Sequence, residues 1–452
     1  MQKMTTVNKK EAFLLLLGDL FLFLSSIYIV LFLRYFNFPN ADLLIQHLIP
    51  FGFLSIIFIF VFLVAGLYEK HTLLLRSRLP NILFNSQITN AFIAVLIFYL
   101  VPGFGITPKI NLFAYIIISS VLILIWRLYG LRLIYSPKKQ NAIIIGSGEE
   151  IYEIFDEVNN NQRYSLKFVS AIDLSKTSEV DFKEEIINRI YGESVTVAVV
   201  DFDNPEVGKL IGHLYNLIFS KVRFIDMHKV YEDIFDRVPI SLLKDSWFIE
   251  NISTSPKATY DALKRLMDIF LSSILGLVSL VFYPFIYIAI KLDDGGPVFI
   301  RQERMGKDNK IIKITKVRTM SVKENVDLKN DSEKRITRVG NFLRKSRIDE
   351  IPQIWSIIKG DQSLIGPRPE LPALVKKYEE EISYYSVRNL IKPGLSGWAQ
   401  IYHDAHPHHG VAIEKTKEKL SYDLYYVKNR SIMLDLKIAL RTIRTLLSRS
   451  GV

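Results

Sequence analysis

Four long apolar stretches in the first 131 residues constrain this chain more than any other feature. They run near 12–33, 49–68, 84–104 and 112–131, each approaching the ~20 residues that carry a helix across the hydrocarbon core of a bilayer. Lipid offers no partner to a backbone N–H or C=O, so segments of this kind are read as helices that bond internally. The composition agrees: 49 % of the 452 residues are hydrophobic, too many for a disordered or wholly soluble chain. No small-residue cleavage site follows the first stretch, which argues against a removable leader. With Cys 0, a disulfide framework, a thiolate nucleophile and a cysteine zinc site are all excluded.

Basic residues lie before the first stretch (Lys3, Lys9, Lys10), between the second and third (Lys70, Arg76, Arg78) and after the fourth (Arg132, Lys138, Lys139). The remaining loops hold only Arg34 and Lys109. The positive-inside rule then puts both ends of this block in the cytoplasm. Asp19 sits within the first stretch, where a carboxyl is costly. It reads either as a functional group or as one facing the other helices. A fifth run, Phe270 to Ile290, carries no charge but contains Pro284. Proline bends a helix, and a full crossing would carry the basic C-terminal part outside against the charge rule. A hairpin over 266–290 that dips into the bilayer and returns satisfies both points; a kinked true span is the alternative.

Residues 141–255 alternate short β-branched runs with helical patterns, the runs being 142–145, 168–172, 195–200 and 222–225. This predicts a Rossmann-like, doubly wound α/β domain. Gly146-Ser147-Gly148 ends the first run, and Asp173 ends the second at the distance of a ribose-binding acid. Ile151 replaces the third glycine of the fingerprint, so a fold kept without its ligand is the competing reading. Asp201-Phe202-Asp203 after the third run offers two carboxylates to a divalent ion on a nucleotide sugar, or a turn that starts a helix.

Charge separates the chain into two parts. Lys+Arg and Asp+Glu balance at 26 each over residues 1–290, whereas 291–452 holds 31 against 20. A field of this sign selects phosphates, whether of a nucleotide, a lipid headgroup or nucleic acid. The same region carries an ordered series of motifs: Lys264-Arg265-Leu266-Met267-Asp268 before the fifth run, Gly296-Pro297-Val298-Phe299 and Gln302-Glu303-Arg304-Met305-Gly306 after it. Next come Lys316-Val317-Arg318-Thr319-Met320, Arg335 to Gly340, and Arg347-Ile348-Asp349-Glu350-Ile351-Pro352-Gln353. Gly360 to Pro369 and Pro393 to Gln400 complete it. Phosphoryl transfer needs a nucleophile in line, neutralised oxygens and fixed cations. Asp349 and Glu350 can divide such work, and Pro352 places them near a helix start, which favours anions. Lys316, Arg318, Arg347 and Arg368 are the candidate phosphate-binding cations. Lys313, Lys323 and Lys329 read instead as surface charge facing anionic lipid.

In these motifs, and strongly over 258–452, the chain resembles the bacterial sugar transferases, the monotopic phosphoglycosyl transferases. The preceding apolar spans and α/β segment resemble those of their large members, the polyprenyl glycosylphosphotransferases. The resemblance implies transfer of a sugar-1-phosphate from a UDP-sugar to undecaprenyl phosphate with release of UMP, at the start of surface-glycan assembly. It further implies Asp349 as the nucleophile of a phosphosugar-carboxylate intermediate, Glu350 as the ligand of Mg²⁺, and a re-entrant apolar segment, so that Lys264, Arg265, Asp268 and Pro284 are assigned to the membrane hairpin.

The expected architecture is a transmembrane helical block over 1–135, a Rossmann-like domain over 136–257, and a helix-rich α/β catalytic domain over 258–452 with a re-entrant membrane helix. The expected partners are a UDP-sugar, undecaprenyl phosphate and membrane lipid at the cytoplasmic face of a bacterial inner membrane, without nucleic acid, in a possible homodimer. Two other readings remain: a glycosyltransferase using Asp201 and Asp203 and releasing UDP, and a nucleotide-sensing membrane scaffold without turnover. His403, His406, His408 and His409 cluster as metal ligands can, but Pro407 and Gly410 make a loop equally apt. Trp398 suits base stacking, an interfacial anchor or internal packing. The segment Ile432 to Leu447 reads as an interfacial or core-facing helix.

Overall fold

The computed structural model describes residues 9–68, 79–100, 109–130, 139–161, 164, 166–175, 192–216, 222–252, 257–321, 336–402 and 413–448. Lys3, Lys70, Arg76, Arg78, Arg132, Lys138, Lys323, Lys329, Arg335 and the histidines between 403 and 409 lie outside the described residues. The chain forms two compact units, 1–234 and 235–452.

The first unit opens with four helices: α1 Lys9–Tyr35, α2 Ala41–Val64, α3 Leu79–Leu100 and α4 Lys109–Ile125, the last continuing as a π-helical turn, Trp126–Gly130. Three of the four contain segments long and apolar enough to cross a membrane, and α3 contains the shorter apolar helix Ile82–Phe98. Aromatic and aliphatic side chains fill the space between them. Phe23 of α1 packs edge-on against Phe58 of α2, and Tyr115 of α4 packs edge-on against Phe51. Asp19 faces the other helices: it is fully buried and ion-paired with Arg127, and the Tyr68 hydroxyl donates to it at 2.8 Å.

Beyond the helices lies a four-stranded sheet of β1 Gln140–Gly146, β2 Leu166–Asp173, β3 Val197–Val200 and β4 Arg223–Asp226. Every pairing is parallel and the order is β2-β1-β3-β4. Its central strands are buried on both faces, as an apolar parallel sheet requires; Ile143, Ile145, Ala198 and Val200 share one core. Gly148 (φ 98°) turns the chain into helix α5, Glu149–Asn160, a conformation in which a side chain would be strained. Helices α6 Pro205–Asn216 and α7 Met227–Phe235 follow β3 and β4.

The second unit begins at residue 235, upstream of the boundary expected at 257. Val238, Leu243 and Trp247 share a core with Val375, Tyr378, Leu420 and Leu424, so this stretch packs with the C-terminal part and includes helix α8, Asp245–Asn251. The run expected to form a hairpin over 266–290 lies instead within one helix, α9 Ala258–Asp293, with Pro284 inside it. Gly276 and Pro284 are both taken up within it, because a helix is the form in which a lipid-facing backbone meets its own hydrogen bonds. Both ends of α9 rest on this unit: Asp268 accepts from Ser363, and Ile286 and Ile290 pack with Val298, Val317 and Leu343.

An antiparallel hairpin of β5 Phe299–Met305 and β6 Ile311–Val317 comes next. Helices α10 Arg338–Lys345 and α11 Gln353–Lys359 follow, joined by a short 3-10 turn, Ile348–Glu350. Strands β7 Ser363–Ile365 and β8 Gly394–Ser396 form a parallel pair flanking helix α12, Pro372–Glu381. Helices α13 Trp398–Tyr402, α14 Ile413–Asn429 and α15 Ile432–Ser448 complete the unit. The glycines of the last motifs make this pairing possible. A Cβ on Gly394 would fall 2.1 Å from the Gly366 nitrogen, so the two backbones approach as only glycine permits.

Candidate active site

The acidic pair lies in the link between α10 and α11. Thr337 caps α10, its hydroxyl accepting from the Gly340 amide at 2.9 Å. After α10 the chain passes through Arg347 in the left-handed region (φ 57°), a conformation costly for a non-glycine residue, and enters the 3-10 turn that carries Asp349 and Glu350. Pro352 then starts α11. At the far end of α11, Arg265 of α9 donates to the carbonyls of Ile357 and Ile358 at 2.6 and 2.7 Å. Arg265 thus helps close the C-terminal end of α11, joining the Gly360 amide on the Ile357 carbonyl and adding a donor to that of Ile358.

The two acids are in unequal surroundings. Glu350 is buried, and its Oε1 accepts from Lys316 Nζ and from Arg368 Nη2, both at 2.9 Å. Burial pushes this carboxyl up, but Arg368 and Lys316 outweigh it and hold the pKa down at about 2. For Asp349, burial and then the adjacent Glu350 charge push the carboxyl above its ordinary range, with Lys316, Arg344 and Arg347 opposing. Acids driven apart in this way are suited to different roles. Among the described residues Asp349 has neither a hydrogen bond nor an ion pair.

Of the four cations expected on phosphates, Lys316 and Arg368 meet on Glu350 and Arg347 directly precedes the turn. Arg318 is placed otherwise. It is buried against Asp294 in a bidentate pair, and its Nε donates to the Pro297 carbonyl at 2.6 Å. It closes the exit of α9 onto β6, so its guanidinium is engaged by a carboxylate away from the acidic pair. Lys264 is paired with Asp435 at 2.9 Å, and Asp268 accepts from the Ser363 hydroxyl at 2.7 Å and the Leu364 amide at 3.2 Å. These contacts tie α9 to the rest of the second unit.

Three supporting residues were missed in the sequence. Arg388, wholly buried with Asp423, donates to the Arg368 carbonyl at 3.0 Å and so fixes the backbone beneath a site cation. Arg304 donates to Gln302 at 2.9 Å and keeps a buried Nε with no partner among the described residues; it feels the charges of Glu370, Arg368 and Glu350. Glu370 pairs with Lys419. Arg304 and Gln302 lay inside a quoted motif, whereas Arg388 and Asp423 carry no local signal.

As a Mg²⁺ site the arrangement fits only in part. Among the described residues there is no group of three or more acids and histidines able to enclose a metal, and one oxygen of Glu350 is already occupied. Mg²⁺ commonly takes one or two carboxylates and completes its shell with water and substrate phosphates, and the second oxygen of Glu350 suits that mode.

The other candidates resolve structurally. Trp398 is internal: it is buried, donates to the Asp236 carbonyl at 2.8 Å, and lies beneath Lys437 and Arg441. In the sheet domain Asp173 is engaged by Ser175 and by the Tyr152 hydroxyl. Asp201 accepts from the Asp203 amide at 3.2 Å, and the Asn204 side chain accepts from Glu206, which is the turn reading of that segment.

Comparison with known proteins places the second unit's chain in a family. The model of the bacterial sugar transferase family matches residues 259–449. A UDP-N-acetylgalactosamine-undecaprenyl-phosphate N-acetylgalactosaminephosphotransferase of Aeromonas hydrophila is 38 % identical over 255 residues, 55 % of this chain and 58 % of the relative. A UDP-glucose:undecaprenyl-phosphate glucose-1-phosphate transferase of Escherichia coli (strain K12) is 33 % identical over 259 residues, 55 % of this chain and 53 % of the relative. The exopolysaccharide production protein PSS of Rhizobium leguminosarum bv. phaseoli is 38 % identical over 198 residues, which cover 41 % of this chain and 96 % of that protein. The chain belongs to the bacterial sugar transferase family. It spans little more than half the length of the first two relatives.

Proposed function

We propose that the protein transfers a sugar-1-phosphate from a UDP-sugar to undecaprenyl phosphate in two steps. The observation that carries this reading is the inequality of the two acids: Glu350 held ionised between two cations, Asp349 partly buried beside it with no side-chain partner among the described residues. In the first step an oxygen of Asp349 attacks the phosphorus that bears the sugar. The bond to the bridging diphosphate oxygen breaks, and UMP leaves with that oxygen. In the second step a phosphate oxygen of the lipid attacks the same phosphorus, giving the lipid diphosphate sugar and restoring the Asp349 carboxylate. A carboxylate nucleophile divides a difficult transfer in this way.

Arg347, Arg368, Lys316 and Arg304 supply the positive field for the diphosphate, the arginines as bidentate donors. Mg²⁺ bound through Glu350 and the diphosphate would neutralise phosphate oxygens. The apolar helix α9 sets the second unit against the bilayer, the helix packing on that one unit near both its ends. The site then faces cytoplasmic nucleotide while the lipid approaches from the inner membrane. The product would begin assembly of a surface glycan, in keeping with the exopolysaccharide name of the Rhizobium relative.

Nucleotide analysis after incubation with UDP-sugars and undecaprenyl phosphate tests the reading. UMP is expected. UDP would favour a glycosyltransferase, and no nucleotide product across a panel of sugars would favour a scaffold.

A further inference from the structure

A cleft of about 510 Å³ opens between α9, the β5–β6 hairpin and α11. Its position differs from that of the acidic pair in a way the strand register defines. Residues directly opposite in an antiparallel ladder share a face. Arg301 opposes Thr315 and Glu303 opposes Lys313 on one face, whereas Lys316 opposes Ile300 and Arg304 opposes Ile312 on the other. The cleft is lined by Phe299, Arg301, Lys313 and Thr315. It therefore uses the hairpin face that points away from the cations of the acidic pair.

Its lining combines two chemistries. Tyr283, Phe299 and Trp355 form an aromatic wall: the rings of Tyr283 and Phe299 meet edge to face at 5.8 Å, and Trp355 Nε1 donates to the Tyr283 hydroxyl at 3.2 Å. Against this wall stand Arg301, Lys313 and Lys359, with Asp361 as the one carboxylate of the lining. Asp361 pairs with Lys359 at 3.1 Å, and Glu303 approaches Lys313 at 3.9 Å with both side chains largely exposed. Arg301 is exposed and has no acidic partner among the described residues. Beside the cleft, α9 presents Phe282, Phe285 and Ile288, all exposed, on a helix apolar enough to lie in a bilayer. Amphipathic rings beside a predominance of cations, next to a lipid-facing helix, are the features of a headgroup-level site.

We infer that this cleft seats the phosphate of an anionic phospholipid, held by Arg301 and Lys313 with its acyl chains along α9, as a resident lipid distinct from the reacting one. The occupant is a bilayer phospholipid because the cleft lies on the hairpin face opposite the groups that serve Asp349, where an acceptor phosphate would be turned away from the reaction. Binding here requires no turnover, so the inference stands or falls separately from the proposed transfer.

The test is native mass spectrometry of the full chain released from nanodiscs of phosphatidylglycerol and phosphatidylcholine. The expected result is selective retention of phosphatidylglycerol, falling about fivefold for each of Arg301→Gln and Lys313→Gln, the scale of one surface cation acting on an anionic lipid. Lys377→Gln, an exposed cation on α12, should leave retention unchanged. Retention unaltered in the two cleft variants, or lowered equally by Lys377→Gln, would overturn the inference. Undecaprenyl phosphate displacing phosphatidylglycerol one for one would assign the cleft to the acceptor instead, and displacement by millimolar inorganic phosphate would make it a free-phosphate site; either result contradicts a resident phospholipid.

Discussion

Lys316 and Arg368 come from distant parts of the chain and donate to the same oxygen of Glu350, each at 2.9 Å. One carboxylate oxygen thus gathers a strand residue and a loop residue around the acidic pair. Removing either cation leaves a buried carboxylate half-compensated and weakens the field over the diphosphate. Lys316→Met and Arg368→Lys are each expected to lower kcat by on the order of 10²–10³, the usual cost of losing one preorganised electrostatic donor. Steady-state UMP release measures this, and wild-type turnover in both variants would remove these residues from the site.

Arg318 makes a different prediction from the phosphate cations. If its work is to hold Asp294 at the exit of α9, Arg318→Met and Asp294→Asn should lower the melting temperature in detergent by similar amounts. The KM for UDP-sugar should be little changed in the fraction that folds. A large KM increase in the arginine variant alone would return Arg318 to the substrate.

The contact between Gly366 and Gly394 leaves no space for a side chain. Gly394→Ala should destabilise the second unit by about 1–3 kcal/mol, as overpacking does, read as a lowered denaturation midpoint. An unchanged midpoint would show that the two strands can separate without cost.

Glu370 ties stability to pH. Burial pushes its carboxyl up, but Lys419 and Arg388 hold it down at about 2, against 4.5 ordinarily. Because the folded value is the lower one, the stabilisation is complete above about pH 4.5 and disappears as the pH falls towards 2. It is at most about 3 kcal/mol, and less for the pair, because burial pulls Lys419 below the ordinary lysine range despite the attraction of Glu370. The stability gap between wild type and Glu370→Gln should therefore close over that interval. A gap independent of pH would exclude this ionic contribution.

The acidic pair was legible because Asp349 and Glu350 adjoin each other inside a dense motif, and the strands at Ala142, Phe168, Val195 and Val222 were legible from their β-branched runs. Arg318 was not. An arginine that clasps a carboxylate and one that clasps a phosphate carry the same sequence signal, and the deciding partner, Asp294, lies beyond the preceding strand. Pro284 signalled a break in the apolar run, yet the surrounding helix accommodates it. Arg388 was invisible for a third reason: it acts through one carbonyl, that of Arg368, and backbone contacts leave no pattern in side-chain chemistry.

The transfer of the sugar phosphate through Asp349 is tested most directly by mixing the purified protein with UDP-sugar labelled in the sugar, without lipid acceptor, and locating the label by peptide mass spectrometry. The account predicts label on the peptide containing Asp349, released on adding undecaprenyl phosphate and absent from Asp349→Asn. Equal labelling of Asp349→Asn, or product formation with no covalent species in a single turnover, would contradict it.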